Sequence, residues 1–203
     1  LGAYGRRVVA PNVGGLERSA GRVGQPGWGG GYSGGDHHSC GESCDAERAV
    51  IVIVGLSHHE APLEVRERYA FDPAEVESAA RALVYGEALT ELMVLVTCNR
   101  VEFVGATSEG SETKAQDHLA AFLERRAVGA SRYLHRYQGP SALRHLFRVT
   151  ASLESLVVGE PQILGQVKDA FEAGVRIGTF GPELGQLAAA ALRCARRVRR
   201  ETE

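Results

Sequence analysis

Residues 94–103 read VLVTCNRVEF, and the division of this stretch decides the fold. Val94, Leu95 and Val96 form an apolar run suited to a buried strand. A second such run, Val101–Val104, begins almost at once. Between them stand Thr97, Cys98, Asn99 and Arg100, polar residues that break the apolar pattern and read as a tight corner between two antiparallel strands. An amide and a guanidinium cannot be buried cheaply without partners, so the corner is expected at the surface.

Upstream, AVIVIVGL (49–56) is a β-branched run of strand length that Gly55 closes. Asp72-Pro73 opens a helix in which Val76, Ala79, Ala80 and Leu83 recur at spacings of three and four. Downstream of the corner, Lys114–Arg126 repeats that period through Leu119, Phe122 and Leu123, and Tyr133–Tyr137 reads as a further strand. The order is βαββαβ, which closes as a four-stranded antiparallel sheet of ferredoxin-like topology with both helices on one face. After Gly139-Pro140 the pattern is helical only. Leu143, Leu146, Phe147 and Thr150 mark one helix; Pro161 starts another, with Ile163, Val167, Ala170 and Phe171 inward; a third begins near Glu183. The expected class is α+β: a catalytic βαββαβ domain at 47–139, a helical subdomain at 140–180, and the start of a long linker helix at 181–203.

Residues 1–46 differ in kind. They are glycine-rich (GWGGGYSGG), with four arginines and only Glu17 as an acid before Asp36. No period survives there, and such a segment buries too little apolar surface to offset its ordering entropy. It reads as a disordered leader: a transit-peptide remnant, a flexible tail or a misdefined start of the reading frame. Its HHSCGESC segment (His37, His38, Cys40, Cys44) holds zinc-type ligands but lacks a second half-site, so no metal is assigned.

The 203 residues carry 44% hydrophobic and 24% charged side chains and a net charge of -2. That balance advertises no nucleic acid, so any RNA contact must come from a local patch such as Arg196–Arg200. No apolar stretch approaches the roughly 20 residues of a membrane span. Four scattered cysteines make no disulfide framework and suit a reducing compartment.

Cys98 is the sharpest chemical candidate. A cysteine after an apolar strand is commonly a small buried hydrophobe. Beside Arg100 at an exposed corner it could instead be a nucleophile, and Arg100 equally suits a carboxylate. Gln162 and Gln166, four apart, share a helix face. Glu160 stands at that helix's start, where negative charge is favoured, and with Ser155 the group could hold a polar ligand; a solvated helix face is the blander reading. His145 alone signals little. His58-His59 lacks metal-ligand spacing.

Together these segments resemble one family. GLSHHEAPLEVRE (55–67), VTCNRVEF (96–103), HLFRVTASLESLVVGEPQILGQVKDAF (145–171) and RRVRRET (196–202) are similar, in the same order, to segments of glutamyl-tRNA reductases, and the resemblance covers about Val50 to Glu203. It implies NADPH-dependent reduction of glutamyl-tRNA(Glu) to glutamate 1-semialdehyde, the first step towards 5-aminolevulinate and tetrapyrroles (porphyrin, heme, chlorophyll). By position, Cys98 would be the nucleophile that forms a thioester and His145 a second catalytic residue. Thr97, Asn99, Arg100, Ser155, Glu160, Pro161, Gln162 and Gln166 would bind substrate; from its charge, Arg100 is expected to pair with the substrate's side-chain carboxylate.

The chain departs from the family pattern at Ser57-His58-His59-Glu60-Ala61-Pro62, usually Asn-His-Lys-Thr-Ala-Pro. It departs again at Ala151-Ser152-Leu153-Glu154-Ser155, usually Ser-Gly-Leu-Asp-Ser. No GxGxxG follows a strand, so NADPH is expected on a domain this chain lacks, leaving it the acyl-transfer half. The family further implies a homodimer in the full-length protein, the next aminotransferase (glutamate-1-semialdehyde aminotransferase) as a partner, and a cytoplasmic location, or a plastid if the leader is a transit peptide. The alternatives are a non-catalytic tRNA- or partner-binding homologue, and an RNA-recognition module, against which Phe103 is the single aromatic of its strand.

Overall fold

A computed structural model describes residues 48–84, 88–157 and 159–202. Among these residues are four strands: β1 (Ala49–Ser57), β2 (Glu91–Val96), β3 (Arg100–Ser108) and β4 (His135–Gln138). The helices are α1 (Leu63–Arg66), α2 (Pro73–Val84), α3 (Glu112–Arg126), α4 (Gly139–Thr150), α5 (Pro161–Ile177) and α6 (Pro182–Thr202). The strands lie in the order β2-β3-β1-β4, every neighbouring pair antiparallel. This is the sheet expected from βαββαβ.

Alternation along the strands sends side chains to both faces, and both faces are apolar. Val52, Val54, Leu56, Leu92, Val94, Val101 and Phe103 pack under α2 and α3. Ile51, Ile53, Met93, Leu95, Val104 and Ala106 pack under α4, α5 and α6. The helical segment is therefore the third layer over the same sheet rather than an appendage to it. Continuous apolar runs such as Ile51–Val54 and Leu92–Leu95 require this, since a strand apolar on both sides needs two covers.

Several local readings shift. Gly55 does not close β1; the strand continues to Ser57, with Gly55 opposite Glu102 on one side and His135 on the other. A Cβ at Gly55 would stand 2.4 Å from the Val101 carbonyl oxygen and 2.8 Å from the Glu102 side chain. Glycine is there because the neighbours occupy the space. On α4 the buried positions are Ala142, Leu146, Val149 and Thr150, while Leu143 is exposed; small Ala142 turns inward because it lets the helix approach the sheet.

The β2 edge is protected. Leu92 N–H donates to the Thr179 carbonyl (2.7 Å) and the Thr179 hydroxyl donates to the Leu92 carbonyl (2.9 Å), which occupies backbone groups an exposed edge would leave open. Next to them the buried Glu91 carboxylate accepts the N–H groups of Glu183 (3.0 Å) and Leu184 (2.8 Å). A strand residue thus satisfies the orphan donors at the α6 N-terminus. Together these bonds fix the C-terminal helices against the strand that leads into the corner.

Candidate functional site

The corner between β2 and β3 is built by its own residues. Thr97 N–H donates to the Arg100 carbonyl (2.9 Å), and the Thr97 hydroxyl accepts the N–H groups of Asn99 and Arg100, both at 3.1 Å. Cys98 stands at the apex, exposed. From the turn after β1 and from α1 come two clamps. His58 N–H donates to the Asn99 carbonyl (2.9 Å), and Arg66 Nη1 donates to the Cys98 carbonyl (2.6 Å) and to Asn99 Oδ1 (3.2 Å). His58 is pushed below the ordinary histidine pKa, first by burial and then by the positive charges of His59, Arg100 and Arg66. The nucleophile candidate thus sits on a rigid turn in a positively charged neighbourhood.

Across from it lies the start of α5. Thr97, Cys98, Asn99, Arg100, Ser155, Glu160, Gln162, Ile163 and Gln166 line one narrow cleft of about 20 Å³, room for a single water. Pro161 opens α5, where a missing N–H costs nothing. The loop between α4 and α5 is held by Ser152, whose hydroxyl donates to the Glu160 carbonyl (2.8 Å). Ser152 has φ 62°, a left-handed conformation that favours glycine. That accounts for the glycine usual at this position in the resembling family.

Arg100 departs from expectation. It is 2% exposed rather than at the surface. Its Nη1 donates to Glu102 Oε1 (2.7 Å) and its Nη2 to the Glu154 carbonyl. Its charge is answered inside the protein, and three of its five N–H groups remain for other partners.

His145 is not in the Cys98 cleft. Its Nε2 is 2.9 Å from the same Glu102 Oε1, so it meets Arg100 through one shared carboxylate oxygen. His135 completes a cluster that the sequence did not disclose, its Nε2 3.5 Å from Glu102 Oε1 and its Nδ1 3.4 Å from Glu60 Oε2. Glu60 also accepts the Ser57 hydroxyl (2.7 Å) and the Ser57 N–H (3.0 Å). Glu102 is fully buried. Burial alone would raise its pKa, but the nearby His135 imidazole, the hydrogen bond from His145 and the Arg100 charge outweigh that and hold it well below the carboxylate range. Burial would likewise lower His135, and the Glu102 and Glu60 carboxylates on either side raise it instead. A carboxylate faces each ring nitrogen, an arrangement that favours the imidazolium form.

Glu102, His135 and His145 bring ligand-type atoms within 4.8 Å of one another. The oxygen they share already carries the Arg100 guanidinium, and a metal cation there would be repelled; the set is a charge cluster. The leader's histidines and cysteines lie outside the described residues. Phe103 is completely buried under α2 and α3, so no base can stack on it as on an RNA-recognition sheet.

Against known proteins, the family described as "Glutamyl-tRNAGlu reductase, N-terminal domain" matches residues 54–202. A glutamyl-tRNA reductase of Pelobacter propionicus is 42% identical over 154 residues, covering 75% of this chain and 35% of that protein. One from Chloroflexus aurantiacus is 43% identical over 158 residues, covering 75% and 36%. The solved structure of glutamyl-tRNA reductase from Methanopyrus kandleri superposes with a TM-score of 0.62 at 34% identity, covering 75% of this chain and 35% of that one. The chain spans about a third of the length of these relatives. With nearly all of its described residues inside the matched region, it belongs to the glutamyl-tRNA reductase family, in the N-terminal domain of those proteins.

Proposed function

We propose that these residues perform the acyl-transfer half of glutamyl-tRNA reduction. The Cys98 sulfur, as thiolate, attacks the carbonyl carbon of the glutamyl ester. The ester C–O bond breaks, the thiol proton ends on the departing ribose hydroxyl, and the glutamyl group stays on Cys98 as a thioester. A thiolate suits this step because it is strongly nucleophilic. Asn99, Gln162 and Gln166 supply amide N–H donors, and Ser155 and Thr97 supply hydroxyls, for the carbonyl oxygen and the polar atoms of the glutamyl group. Glu160 answers its ammonium, and the remaining N–H groups of Arg100 take its side-chain carboxylate. His145 acts through Glu102 as a positioning residue for Arg100. The observation that carries this reading is the single cleft that joins an exposed cysteine to eight other residues, seven of them polar. At its present width the cleft must open along the 151–160 loop to admit a glutamyl group.

In the family the thioester is then reduced by NADPH to glutamate 1-semialdehyde, towards 5-aminolevulinate and tetrapyrroles. Among the described residues every strand pairing is antiparallel, and no parallel βαβ unit with a glycine-rich turn is present to hold a dinucleotide pyrophosphate. No hydride step is therefore derived from these residues. Glutamyl-tRNA(Glu) as substrate, a homodimer of a longer protein, an aminotransferase partner, and a cytoplasmic or plastid location belong to the same proposal. No helix among the described residues is long and apolar enough to cross a membrane.

The test is intact mass after brief incubation with glutamyl-tRNA, with Cys98→Ser alongside. A hydroxylamine-labile glutamyl adduct, absent from the variant, supports the reading. An intact ester and an unmodified protein would favour a homologue that binds without turnover.

A further inference from the structure

A second cavity opens beside the first. It holds about 320 Å³ and lies between α2 and α5 at the β2 edge, with Val94 and Val96 at its base, Phe71 and Val76 on one wall and Ala170, Ala173 and Ile177 on the other. Its rim carries Glu77, Asp169 and Arg176, and Gln166 lines this cavity and the Cys98 cleft alike. Two elements connect the pair. Strand β2 runs from Val94 and Val96 towards Cys98, and at about 3.3 Å per residue Val96 is ~7 Å from the nucleophile along the chain. Helix α5 passes from Gln162 and Gln166 to Ala170 and Ala173, about 10 Å beyond Gln166 at 1.5 Å per residue.

We propose that this cavity receives the terminal nucleoside of the RNA ester. The inference rests on the acyl-transfer reading: a sulfur that attacks a ribosyl ester must have the ribose, and the base it carries, within one nucleoside's length of itself. The cavity begins at that distance and has the matching chemistry. Its apolar walls suit the faces of a flat base taken out of a stack. The two carboxylates can accept from an exocyclic amino group, and Arg176 can donate to ring nitrogens. Gln166, at the junction, stands where the ribose hydroxyl beside the ester would pass. Glu77 and Asp169 repel phosphate, so the polynucleotide backbone must leave over the rim rather than through the cavity. A second polypeptide is less well matched, because about 320 Å³ suits one flat base better than an extended peptide segment.

The test compares two small esters that share the glutamyl group and the ribosyl leaving group, 3′-O-glutamyl-adenosine and the same glutamyl ester of 1-O-methyl ribose, by the rate at which each acylates Cys98 in this chain. The expected result is a faster reaction of the adenosine ester at equal subsaturating concentration, by roughly tenfold, the equivalent of about 1.4 kcal/mol. Ala170→Phe should slow the adenosine ester and leave the methyl riboside ester unchanged. Ala170→Phe, which fills the cavity, and Asp169→Ala, which changes only an exposed side chain, should each bring the ratio of the two rates towards one. Asp169→Ala serves if Ala170→Phe fails to fold. Equal rates for the two esters in the unaltered chain, or a ratio untouched by both variants, would overturn the proposal and leave the cavity to another occupant, such as a docked polypeptide segment. Failure of every ester, glutamyl-tRNA included, to modify Cys98 would instead overturn the acyl-transfer reading beneath it.

Discussion

Cys98 and Glu102 stand four residues apart on one hairpin, and their surroundings are opposite. Cys98 is exposed at the apex of a turn, its side chain without a hydrogen bond among the described residues, while Glu102 is fully buried and answers Arg100, His135 and His145 at once. The first residue can be changed with little consequence for the fold; the second cannot. The difference teaches how this domain divides its work. On the proposed function, reactivity is carried by a side chain with few obligations, and rigidity by a charge cluster deeper in the same hairpin, with Arg100 belonging to both.

Four experiments would break or sharpen that contrast. The largest effect is expected from Cys98→Ser: loss of the glutamyl adduct altogether, with the unfolding free energy within about 0.5 kcal/mol of wild type, as for an exposed position. Mass spectrometry and urea denaturation check the two halves, and substantial destabilisation would mean that Cys98 has a structural role as well.

Next comes Glu102→Leu. Removing the shared carboxylate leaves Arg100 and His135 buried without it, a situation that costs about 3–5 kcal/mol, read as a lower urea midpoint. Adding His135→Leu should recover part of that loss, and strict additivity of the two changes would show that the pair is not coupled.

The third is a pH dependence. His135 has a folded pKa above its ordinary value, so its contribution is complete below about 6.5 and is lost as pH rises through the folded pKa. Glu102, Glu60 and Glu154 have lowered pKa values; their contributions are present above about 4.3 and are lost as pH falls through the folded values. His58, lowered, opposes His135: its penalty grows as pH falls below about 6.5. Stability measured in His58→Asn should therefore decline on the alkaline side. In the double variant with His135→Gln that decline should flatten, and an unchanged slope would remove the imidazolium from the account.

The smallest effect concerns the loop joining the two regions. Ser152→Ala keeps the left-handed conformation and loses the bond to Glu160, for about 1 kcal/mol. Ser152→Gly loses the same bond but relieves the backbone, so its thermal midpoint should lie closer to wild type. If the two variants melt together, the conformation at residue 152 carries no strain.

Much of this was legible in the chain. The corner showed itself because polar residues that interrupt two apolar runs fit only a turn, and its sole misreading was Arg100. A guanidinium reads as exposed unless its partner is known, and the partner here, Glu102, is buried only because distant histidines meet it. Gln162 and Gln166 could be placed together from helical spacing, and Pro161 gave the helix start. Gly55 was misjudged for a related reason. Glycine after a β-branched run resembles an ending, whereas here it is the gap that lets Glu102 and His135 approach across β1.

What the sequence by itself determined are the properties that depend on neighbours along the chain: the order of strands and helices, the tight turn at Cys98, and the shared face of the α5 amides. The tertiary structure alone decided that the three C-terminal helices cover the sheet's second face. It also decided that His145, 43 residues from Glu102 in sequence, shares a carboxylate oxygen with Arg100, and that the cavity beside β2 shares Gln166 with the Cys98 cleft. The physical reason is that local pattern fixes backbone conformation and burial preference. Compensation of a buried charge, and the shape of a cavity, depend instead on which distant strands come into register, and no single segment carries that information.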